Sequence, residues 1–342
     1  MKTGGYAMGG RMCTRKDVAE HAGVSVTTVS NVLNHSKEAR PEIVERVKKA
    51  AKELNYHPNL IAKGLKMNNS MQVGVIISEI NNPYFIDVLQ GIEEEAAVHG
   101  YNVSIFFIKG DIWHKYKDLM GRRFAGVINL SNIPYTQELQ TALMKQGAHL
   151  VCFDPLVSSQ VNFDARPALK ELMLKAKEYG HRKLSYAVGF PEEVARQDER
   201  VNTYMCAYEE LGFEKHPYQL IYGDFPKTSS EQNGVNTARF ALAHHCEASA
   251  YFAINDMCAL GMMSEFSRAG LHVPDDISVI GCDGIAISEL VYPQIATIDV
   301  PRNEIGRRMM LEIRNAVAGG ESTSVTMSCR ALFRESLGKA KS

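Results

Sequence analysis

Residues 25–31 form the run of the chain whose side chains are best suited to a specific chemistry. Their hydroxyl and amide groups can donate and accept hydrogen bonds, and their methyl groups can contact apolar surface. At the start of a helix, such a set suits base edges and thymine methyls in a DNA major groove better than it suits catalysis. The side chains expected to face outward are Val26, Thr27, Thr28, Ser30 and Asn31.

Two short helices joined by a tight turn are predicted to position this run. Thr14 and Asp17 make the T-x-x-D form of a capping box, which starts the first helix. That helix is expected to end near Ala22, because Gly23 follows where a left-handed residue is favoured. Ser25 then caps the second helix.

The second helix also has a clear apolar face. Val29, Val32 and Leu33 are spaced i, i+3, i+4, so they are expected to pack on the first helix at Val18, Ala19 and Ala22. The alternative is a plain helical hairpin inside a globular protein. Because the caps, the glycine and the two-faced pattern agree, a helix-turn-helix is the prediction.

A third helix should complete a small all-α head. Pro41 stands where a first helical residue is favoured, and the helix is expected to run to about Leu54. Arg40 is a weak N-cap, since it lacks the short polar side chain that capping favours. The apolar stripe that would close a three-helix core comprises Ile43, Val47, Ala50, Ala51 and Leu54.

The segment TRKDVAEHAGVSVTTVSNVLN, followed by ELNYHPNLIAKGLK, resembles the head of the lactose/galactose repressor family of bacterial transcription regulators. The resemblance extends over nearly the whole chain. It implies a helix-turn-helix head and an α/β body of two lobes with parallel doubly wound sheets, like periplasmic sugar-binding proteins. It also implies a homodimer that binds a pseudo-palindromic, double-stranded operator and responds to a small molecule.

Residues 56–66 are too short for a stable isolated helix, since nucleation is unfavourable below about 12–15 residues. The resemblance implies a hinge helix that pairs with its twin on DNA and wedges Leu65 into the minor groove. An ordinary linker is the alternative. The expected DNA-binding residues are Thr14, Ser25, Val26, Thr27, Thr28, Ser30, Asn31, Asn34, Tyr56, Asn59, Lys63 and Leu65. Val26, Thr27 and Asn31 should read bases, while Ser25, Thr28, Ser30 and nearby lysines hold phosphates.

From Met71 onward, short apolar strands alternate with amphipathic helices, which predicts parallel sheets covered on both faces. Helix ends are expected at Gly100, Gly121, Gly147, Gly180, Gly212 and Gly270. The resemblance implies three crossings between lobes, expected near 156–162, 288–294 and 321–326. The expected boundaries are 1–12 for a disordered extension, 13–55 for the head, 56–69 for the hinge, and 70–337 for the effector-binding and dimerisation domain. Its first lobe should comprise about 70–157 and 293–322, and its second about 160–290 and 325–337.

Polar and aromatic groups follow several of these strands, at the edge where parallel sheets bind ligands. Through the resemblance, the expected effector-binding residues are Tyr84, Phe85, Asp154, Asp164, Arg200, Phe225, Asn255, Asp256 and Asp283. Each carboxylate could instead be a helix cap, since Asp256 and Asp283 stand where N-caps belong. Ala165 and the loop 192–198 depart from the family pattern. A sugar or sugar derivative is the first expectation for the ligand, and a nucleobase or phosphorylated metabolite the second.

Charge and composition support the same interpretation. Residues 1–69 carry 12 Lys and Arg against 6 Asp and Glu, whereas residues 70–342 carry 26 against 33. A basic head and an acidic body suit a nucleic-acid reader. The 7 cysteines contain no C-x-x-C pair, which indicates free thiols in a reducing compartment. With no membrane span and no signal peptide recognised, the expected location is the cytoplasm.

Other classes of protein are disfavoured by the motifs. The sequence has no P-loop, G-x-G-x-x-G, H-E-x-x-H or G-x-S-x-G, so neither a cofactor nor an enzyme is predicted. Adjacent His244, His245 and Cys246 cannot converge on one metal from a helix. The alternative from another class is the solute-binding protein of a sugar transporter. The prediction is therefore a ligand-responsive transcriptional regulator, and repression is its expected mode. The sequence predicts neither whether the ligand acts as an inducer or as a corepressor nor which operator sequence is bound.

Overall fold

A computed structural model describes residues 13–33, 39–56, 70–108, 119, 121–131, 136–153 and 159–341. The chain divides into two compact units, Met1–Ser70 and Met71–Ser342. We call them the head and the body. The expected extension 1–12 lies outside the described residues, as do residues 57–69 of the expected hinge.

The head contains three helices among its described residues: α1 (Arg15–Ala22), α2 (Val26–Leu33) and α3 (Pro41–Glu53). The capping box is present, because the Asp17 carboxylate accepts from the Thr14 N–H at 2.7 Å and Thr14 Oγ1 accepts from the Asp17 N–H at 3.4 Å. Gly23 is left-handed with φ +63°, as expected. Arg40 makes no side-chain capping bond to α3.

The head core has the predicted two-faced packing. All of its helices contribute small aliphatic side chains, and the buried set is Val18, Ala19, Ala22, Val29, Val32, Val47 and Ala50. Leu33 is only partly buried at its edge. Val29 and Val32 of α2 are buried in this core, so the opposite face of α2 is the one left at the surface.

The body contains two six-stranded sheets among its described residues. The first has the order β11-β5-β4-β3-β1-β2 and is parallel throughout. Its strands are β1 (Gln72–Ile77), β2 (Asn102–Phe107), β3 (Gly126–Asn129), β4 (His149–Cys152), β5 (Ser159–Asp164) and β11 (Ser324–Ser328). Its helices are α4 (Pro83–Val98), α5 (Thr136–Lys145) and α12 (Arg302–Val317).

The second sheet has the order β12-β10-β9-β8-β6-β7, and only the pairing of β10 with β12 is antiparallel. Its strands are β6 (Leu184–Ala187), β7 (Leu220–Ile221), β8 (Ala250–Ala253), β9 (Ser278–Asp283), β10 (Ala296–Asp299) and β12 (Arg330–Leu332). The helices of this lobe are α6 (Arg166–Glu178), α7 (Glu192–Ala195), α8 (Glu199–Glu210), α9 (Ser230–Ala243), α10 (Asp256–Arg268) and α11 (Ile287–Leu290).

The chain passes between the lobes three times, but not at the expected positions. β5 and β11 belong to the first sheet and β10 to the second, so the crossings lie at Ala165, at 300–301 and at Cys329. The lobe boundaries expected at 157–160, 290–293 and 322–325 are corrected accordingly. These strands contain polar residues (SQVNFD, ATID, SVTMS), which made them read as connecting loops.

The predicted glycine helix ends are mostly present. Gly100, Gly147, Gly180, Gly212 and Gly270 are left-handed. The prediction for Gly121 stays a prediction, because the preceding residue lies outside the described ones. Glycine has a second use where α4 and α12 cross, because a Cβ on Gly91 would stand 1.9 Å from the Asn303 carbonyl oxygen. None of the helices in the described parts of the chain has the length and apolar character required to cross a bilayer.

Candidate functional site

The exposed surface of α2 carries the predicted base-reading side chains. Val26 is 45% exposed and Thr27 is also exposed, while Thr28, Ser30 and Asn31 are half-buried on the same helix. None of these five side chains is charged, so the surface consists of hydrogen-bonding groups and methyl groups. Its chemistry therefore suits base edges rather than phosphates alone.

The hydroxyl groups at the two helix starts are committed to capping. Ser25 Oγ accepts from the Thr28 N–H at 3.0 Å and lies 2.8 Å from Thr28 Oγ1. Thr14 is bound in the capping box of α1. Both Thr14 and Ser25 are exposed, so each helix start offers backbone N–H donors of its first turn at a position favourable to a phosphate.

Arg46 and Tyr56 make hydrogen bonds that stabilise the fold of the head. Arg46 donates to the carbonyls of Ala22 and Gly23, which stabilises the end of α1. Tyr56 is partly buried, and its hydroxyl accepts from Arg15 Nε at 3.2 Å, so it is also a structural residue. The expected DNA contacts that lie outside the described residues are Asn34, Asn59, Lys63 and Leu65.

A cavity of about 730 Å³ lies between the two lobes of the body. It is lined by most of the predicted effector-binding residues, namely Tyr84, Phe85, Asp164, Arg200, Phe225, Asn255 and Asp283. Asp154 lies outside the described residues. The sheet edges thus bring together side chains separated by two hundred residues in sequence.

Asp256 is not part of this lining, which corrects its predicted place. It is fully buried, and its carboxylate accepts from Thr297 Oγ1 at 2.5 Å and from the Ile285 N–H at 2.9 Å. Burial raises its pKa to about 7 against the effect of these hydrogen bonds. Asn255, rather than Asp256, caps α10 by accepting from the Cys258 N–H at 2.8 Å.

Asp283 ends β9 with a strained backbone, φ +119°, instead of capping a helix. It is 8% exposed, and burial together with the nearby Asp256 carboxylate holds its pKa well above the ordinary range. Arg200 and Arg302 oppose that shift. A non-glycine residue held in this conformation next to a cavity is typical of functional sites.

Arg200 reaches the cavity as half of a bidentate ion pair. Its Nε and Nη2 donate to the two carboxylate oxygens of Asp198 at 3.1 and 2.7 Å. Burial opposes ionisation of Asp198, but Arg200 outweighs it and lowers the pKa of that carboxyl. The guanidinium also lies 5.5 Å from the Phe190 ring centroid. Arg200 therefore offers a neutralised, directional donor.

Glu79, which sequence reasoning missed, bridges the lobes. It follows β1 in the first lobe and is 8% exposed, and its carboxylate accepts from the Ser230 N–H at 2.8 Å and Ser230 Oγ at 2.6 Å. Asn255 Nδ2 in turn donates to Ser230 Oγ at 3.0 Å. A carboxylate from one lobe thus caps α9 of the other, and its position at a strand end was the available signal.

Aromatic side chains form another part of the lining, with edge-on ring pairs at 5.4 to 6.1 Å between ring centroids. The pairs are Tyr84 with Phe85, Phe153 with Phe163, and Phe190 with Phe225. Ring faces beside carboxylates and amides can hold the apolar face and the hydroxyls of one small ligand. Within the described residues, no group of three or more His, Cys, Asp or Glu is placed to bind a metal.

Family models match both units. Residues 14–59 match the model of bacterial regulatory proteins of the lacI family, and residues 175–337 match a periplasmic binding protein-like domain. The HTH-type transcriptional repressor CytR of Escherichia coli is 31% identical over 94% of this chain and 96% of its own. The repressor PurR of Vibrio vulnificus is 32% identical over 86% of this chain and 89% of its own.

Solved structures give the same fold. A lac repressor dimer bound to operator and the anti-inducer ONPF has a TM-score of 0.81 at 22% identity, covering 96% of this chain and all of that one. A complex of the transcriptional regulator CelR with cellobiose has a TM-score of 0.69 at 26% identity, covering 95% and 99%.

Proposed function

Because the chain belongs to the lacI family of bacterial regulatory proteins, we propose that α2 reads operator bases while the interlobe cavity binds the controlling small molecule. Family membership makes the chain a ligand-responsive, DNA-binding transcriptional regulator and not an enzyme. The proposal assigns this activity to particular residues. The proposal rests on two features that occur in the same chain. One is the uncharged surface of α2, and the other is the cavity lined by both lobes.

In the head, we assign base contacts to Val26, Thr27 and Asn31 and phosphate contacts to Thr14, Ser25, Thr28 and Ser30. The exposed helix starts support the phosphate role, because their backbone donors favour anions. From the sequence alone we propose that residues 56–69 are the hinge and that Asn59, Lys63 and Leu65, which lie outside the described residues, contact the DNA.

The operator-bound protein is proposed to be a homodimer. Two heads held together bind two half-sites with a large gain in effective concentration, so a pseudo-palindromic operator is expected. The related lac repressor structure contains a dimer on its operator. Operator DNA in bacteria lies in the cytoplasm, and we place the protein there.

The ligand is proposed to be a neutral polyhydroxylated molecule, a sugar or sugar derivative. The lining contains five carboxylates, Glu79, Asp164, Asp198, Glu199 and Asp283, against two arginines. Arg200 is paired with Asp198, and Arg166 lies 3.8 Å from Asp164 and 3.7 Å from Glu199. Such a cavity disfavours a phosphorylated metabolite, since an added anion would be desolvated without a free cation. The CelR complex contains a sugar, cellobiose.

The two assignments can be separated with one variant in each unit. Asn31→Ala should lose about 1–3 kcal/mol at one operator base pair and bind ligand normally. Asp283→Ala should bind operator normally and lose the ligand response. Asp283→Asn retains a hydrogen-bonding group, so its ligand affinity should fall less than that of Asp283→Ala.

Operator affinity, measured at fixed salt across single-base variants of the operator, tests the effect of Asn31→Ala. Calorimetry with a panel of saccharides and nucleosides tests the effect of the Asp283 variants. An unchanged base preference for Asn31→Ala would contradict the head assignment. A saccharide that binds wild type and Asp283→Ala equally would remove Asp283 from the binding site, and binding of nucleosides alone would replace the sugar proposal.

A further inference from the structure

Arg302 is not among the residues that line the cavity, yet its guanidinium contacts the backbone of one that is. It is the first residue of α12, directly after the crossing at 300–301, and its side chain is 14% exposed. Nη1 donates to the Asp283 carbonyl, and Nη2 donates to the Gly284 carbonyl at 2.8 Å. These carbonyls lie at the end of β9 in the second lobe, whereas α12 packs on the first lobe. A side chain from one lobe therefore holds a turn of the other.

Asp87 holds the same guanidinium from within the first lobe. Its carboxylate accepts from Arg302 Nε at 2.8 Å. Asp87 belongs to α4, which packs so closely on α12 that a Cβ on Gly306 would stand 2.0 Å from the Val88 carbonyl oxygen. All three guanidinium nitrogens thus have an acceptor, which fixes the direction of this planar group.

The turn after β9 has a backbone that needs such support. Asp283 has φ +119°, which residues with a side chain rarely adopt, and Gly284 follows with φ +70°. Within the second lobe, the Asp256 carboxylate accepts from the Ile285 N–H at 2.9 Å. Asp256 therefore holds the turn by an N–H of its own lobe, while Arg302 holds it by two carbonyls from the other lobe.

The Asp283 carboxylate lines the cavity, and no described side chain donates a hydrogen bond to it. Its position therefore depends on the backbone of the turn rather than on a side-chain partner. Arg302 also acts on this group electrostatically, since it opposes the rise that burial causes in the pKa of Asp283. Both effects favour a carboxylate that is held ready to accept from a ligand hydroxyl.

We propose that Arg302 is a positioning residue for ligand recognition, which directs the Asp283 carboxylate into the cavity by fixing its turn from the first lobe. The inference rests on the proposed role of Asp283 in ligand binding. Asp87 orients the guanidinium and acts one step further from the ligand. Tyr84 and Phe85 at the start of α4 also line the cavity, so Arg302 connects the groups that two lobes present to one ligand.

Hydrogen exchange of the ligand-free full chain tests whether Arg302 holds the turn. Arg302→Met removes the donors but keeps an unbranched chain. The Val300 N–H, which donates to the Asp283 carbonyl at 3.2 Å, should then exchange severalfold faster, while amides at the centre of α9 keep their wild-type rates. Arg302→Lys keeps the charge but cannot span all three acceptors, so its rate should be intermediate. An unchanged Val300 rate in both variants would overturn the proposal.

Calorimetry with cellobiose, lactose and ribose measures the effect on recognition. Arg302→Met should lower the affinity of a sugar that binds wild type by about 5- to 150-fold, because the strained Asp283 is no longer fixed. In the Asp283→Ala background, the same substitution should cost less than about twofold, because no carboxylate remains to be positioned. An equal loss in both backgrounds would overturn the proposal, since a purely structural residue lowers affinity whatever stands at 283.

Asp87→Asn and Asp87→Ala form a matched pair for the orienting contact. Asparagine keeps an acceptor for Arg302 Nε, whereas alanine does not, so the alanine variant should lose more sugar affinity than the asparagine variant and less than Arg302→Met. Wild-type affinity in Asp87→Ala would remove Asp87 from this role. If none of the three sugars binds wild type, the proposed ligand class fails, and the exchange rates, which need no ligand, decide on Arg302.

Discussion

The functional surface of the head comes from one continuous run of the sequence, whereas the cavity of the body is formed by residues far apart in sequence. In the head, one seven-residue run, 25–31, supplies the cap, the buried face and the exposed face of the same helix. In the body, the cavity needs Glu79, Asp198 and Asp283, which meet only when two sheets and two lobes have assembled. A local surface depends on helix propensity and capping, whereas the assembled cavity depends on long-range pairs of charged and polar groups.

The largest expected effect lies in the body, at the Arg200–Asp198 pair. Arg200→Ala leaves the Asp198 carboxylate, whose side chain is 10% exposed, without its bidentate partner. Removing one partner of a fully buried pair costs about 3–5 kcal/mol. Because the Arg200 side chain is 34% exposed, the loss here should lie at or below the lower end of that range, and the body should unfold at lower denaturant concentration. The pKa of Asp198 is lowered in the fold, so the pair's stabilisation is present above the unfolded pKa and lost as the pH falls through the folded one.

The control for this prediction is the double variant Arg200→Ala with Asp198→Asn. Asparagine can still cap α8 by accepting from the residue 200 N–H, and it leaves no buried charge. The double variant should recover most of the lost stability at neutral pH. If it is as unstable as Arg200→Ala alone, the loss comes from packing on Phe190 and not from the unpaired carboxylate.

Sequence reasoning succeeded where the physical cause is local. The capping box at Thr14, the left-handed Gly23 and the start of α3 at Pro41 all depend on neighbouring residues, and they occur where predicted. The strands β5, β10 and β11 were missed because polar residues interrupt their apolar pattern. Their place in a sheet comes from neighbours far away in sequence.

The cavity shows the same division. Asn255 and Asp256 are adjacent, yet only Asn255 lines the cavity. The Asp256 carboxylate is buried and accepts hydrogen bonds from Thr297 and Ile285. No property of the two residues alone distinguishes them, because the choice depends on where β10 packs. Glu79 was likewise missed, since its partner Ser230 belongs to the other lobe.

A smaller effect is expected for Glu79→Gln, which keeps the shape of the cross-lobe bridge. The amide has one acceptor oxygen in place of two, so one of the two bonds from Ser230 is lost. If closure of the lobes includes this bridge, about 1–3 kcal/mol of closure free energy is lost, which corresponds to a ligand affinity lower by about 5- to 150-fold.

Ser230→Ala provides a comparison, because it removes the hydroxyl bond to Glu79 and the bond from Asn255 but retains the backbone N–H bond to Glu79. Its loss of affinity should be at least as large as that of Glu79→Gln. Small-angle scattering of the ligand-free protein should also report a larger radius of gyration for Glu79→Gln. Wild-type affinity and an unchanged radius would mean that the bridge only stabilises α9.

The smallest effect is expected in the head, at the capping box of α1. Thr14→Ala removes the hydroxyl that accepts from the Asp17 N–H, and the loss of an N-cap costs about 0.5–2 kcal/mol. Amides in the first turns of α1 should exchange faster in the variant, while unfolding of the body remains unchanged, because the two units have separate cores. Thr14→Ser keeps the hydroxyl and should retain the protection.

Operator binding by the same pair of variants separates the two roles given to Thr14. If it acts only as a cap, the operator affinity of Thr14→Ala should fall no further than the measured fraying of α1 explains. If its hydroxyl also contacts a phosphate, affinity should fall beyond that on all sequences alike, and Thr14→Ser should restore it. A loss confined to particular base pairs would contradict both roles, since the capping residue lies outside the base-reading surface of α2.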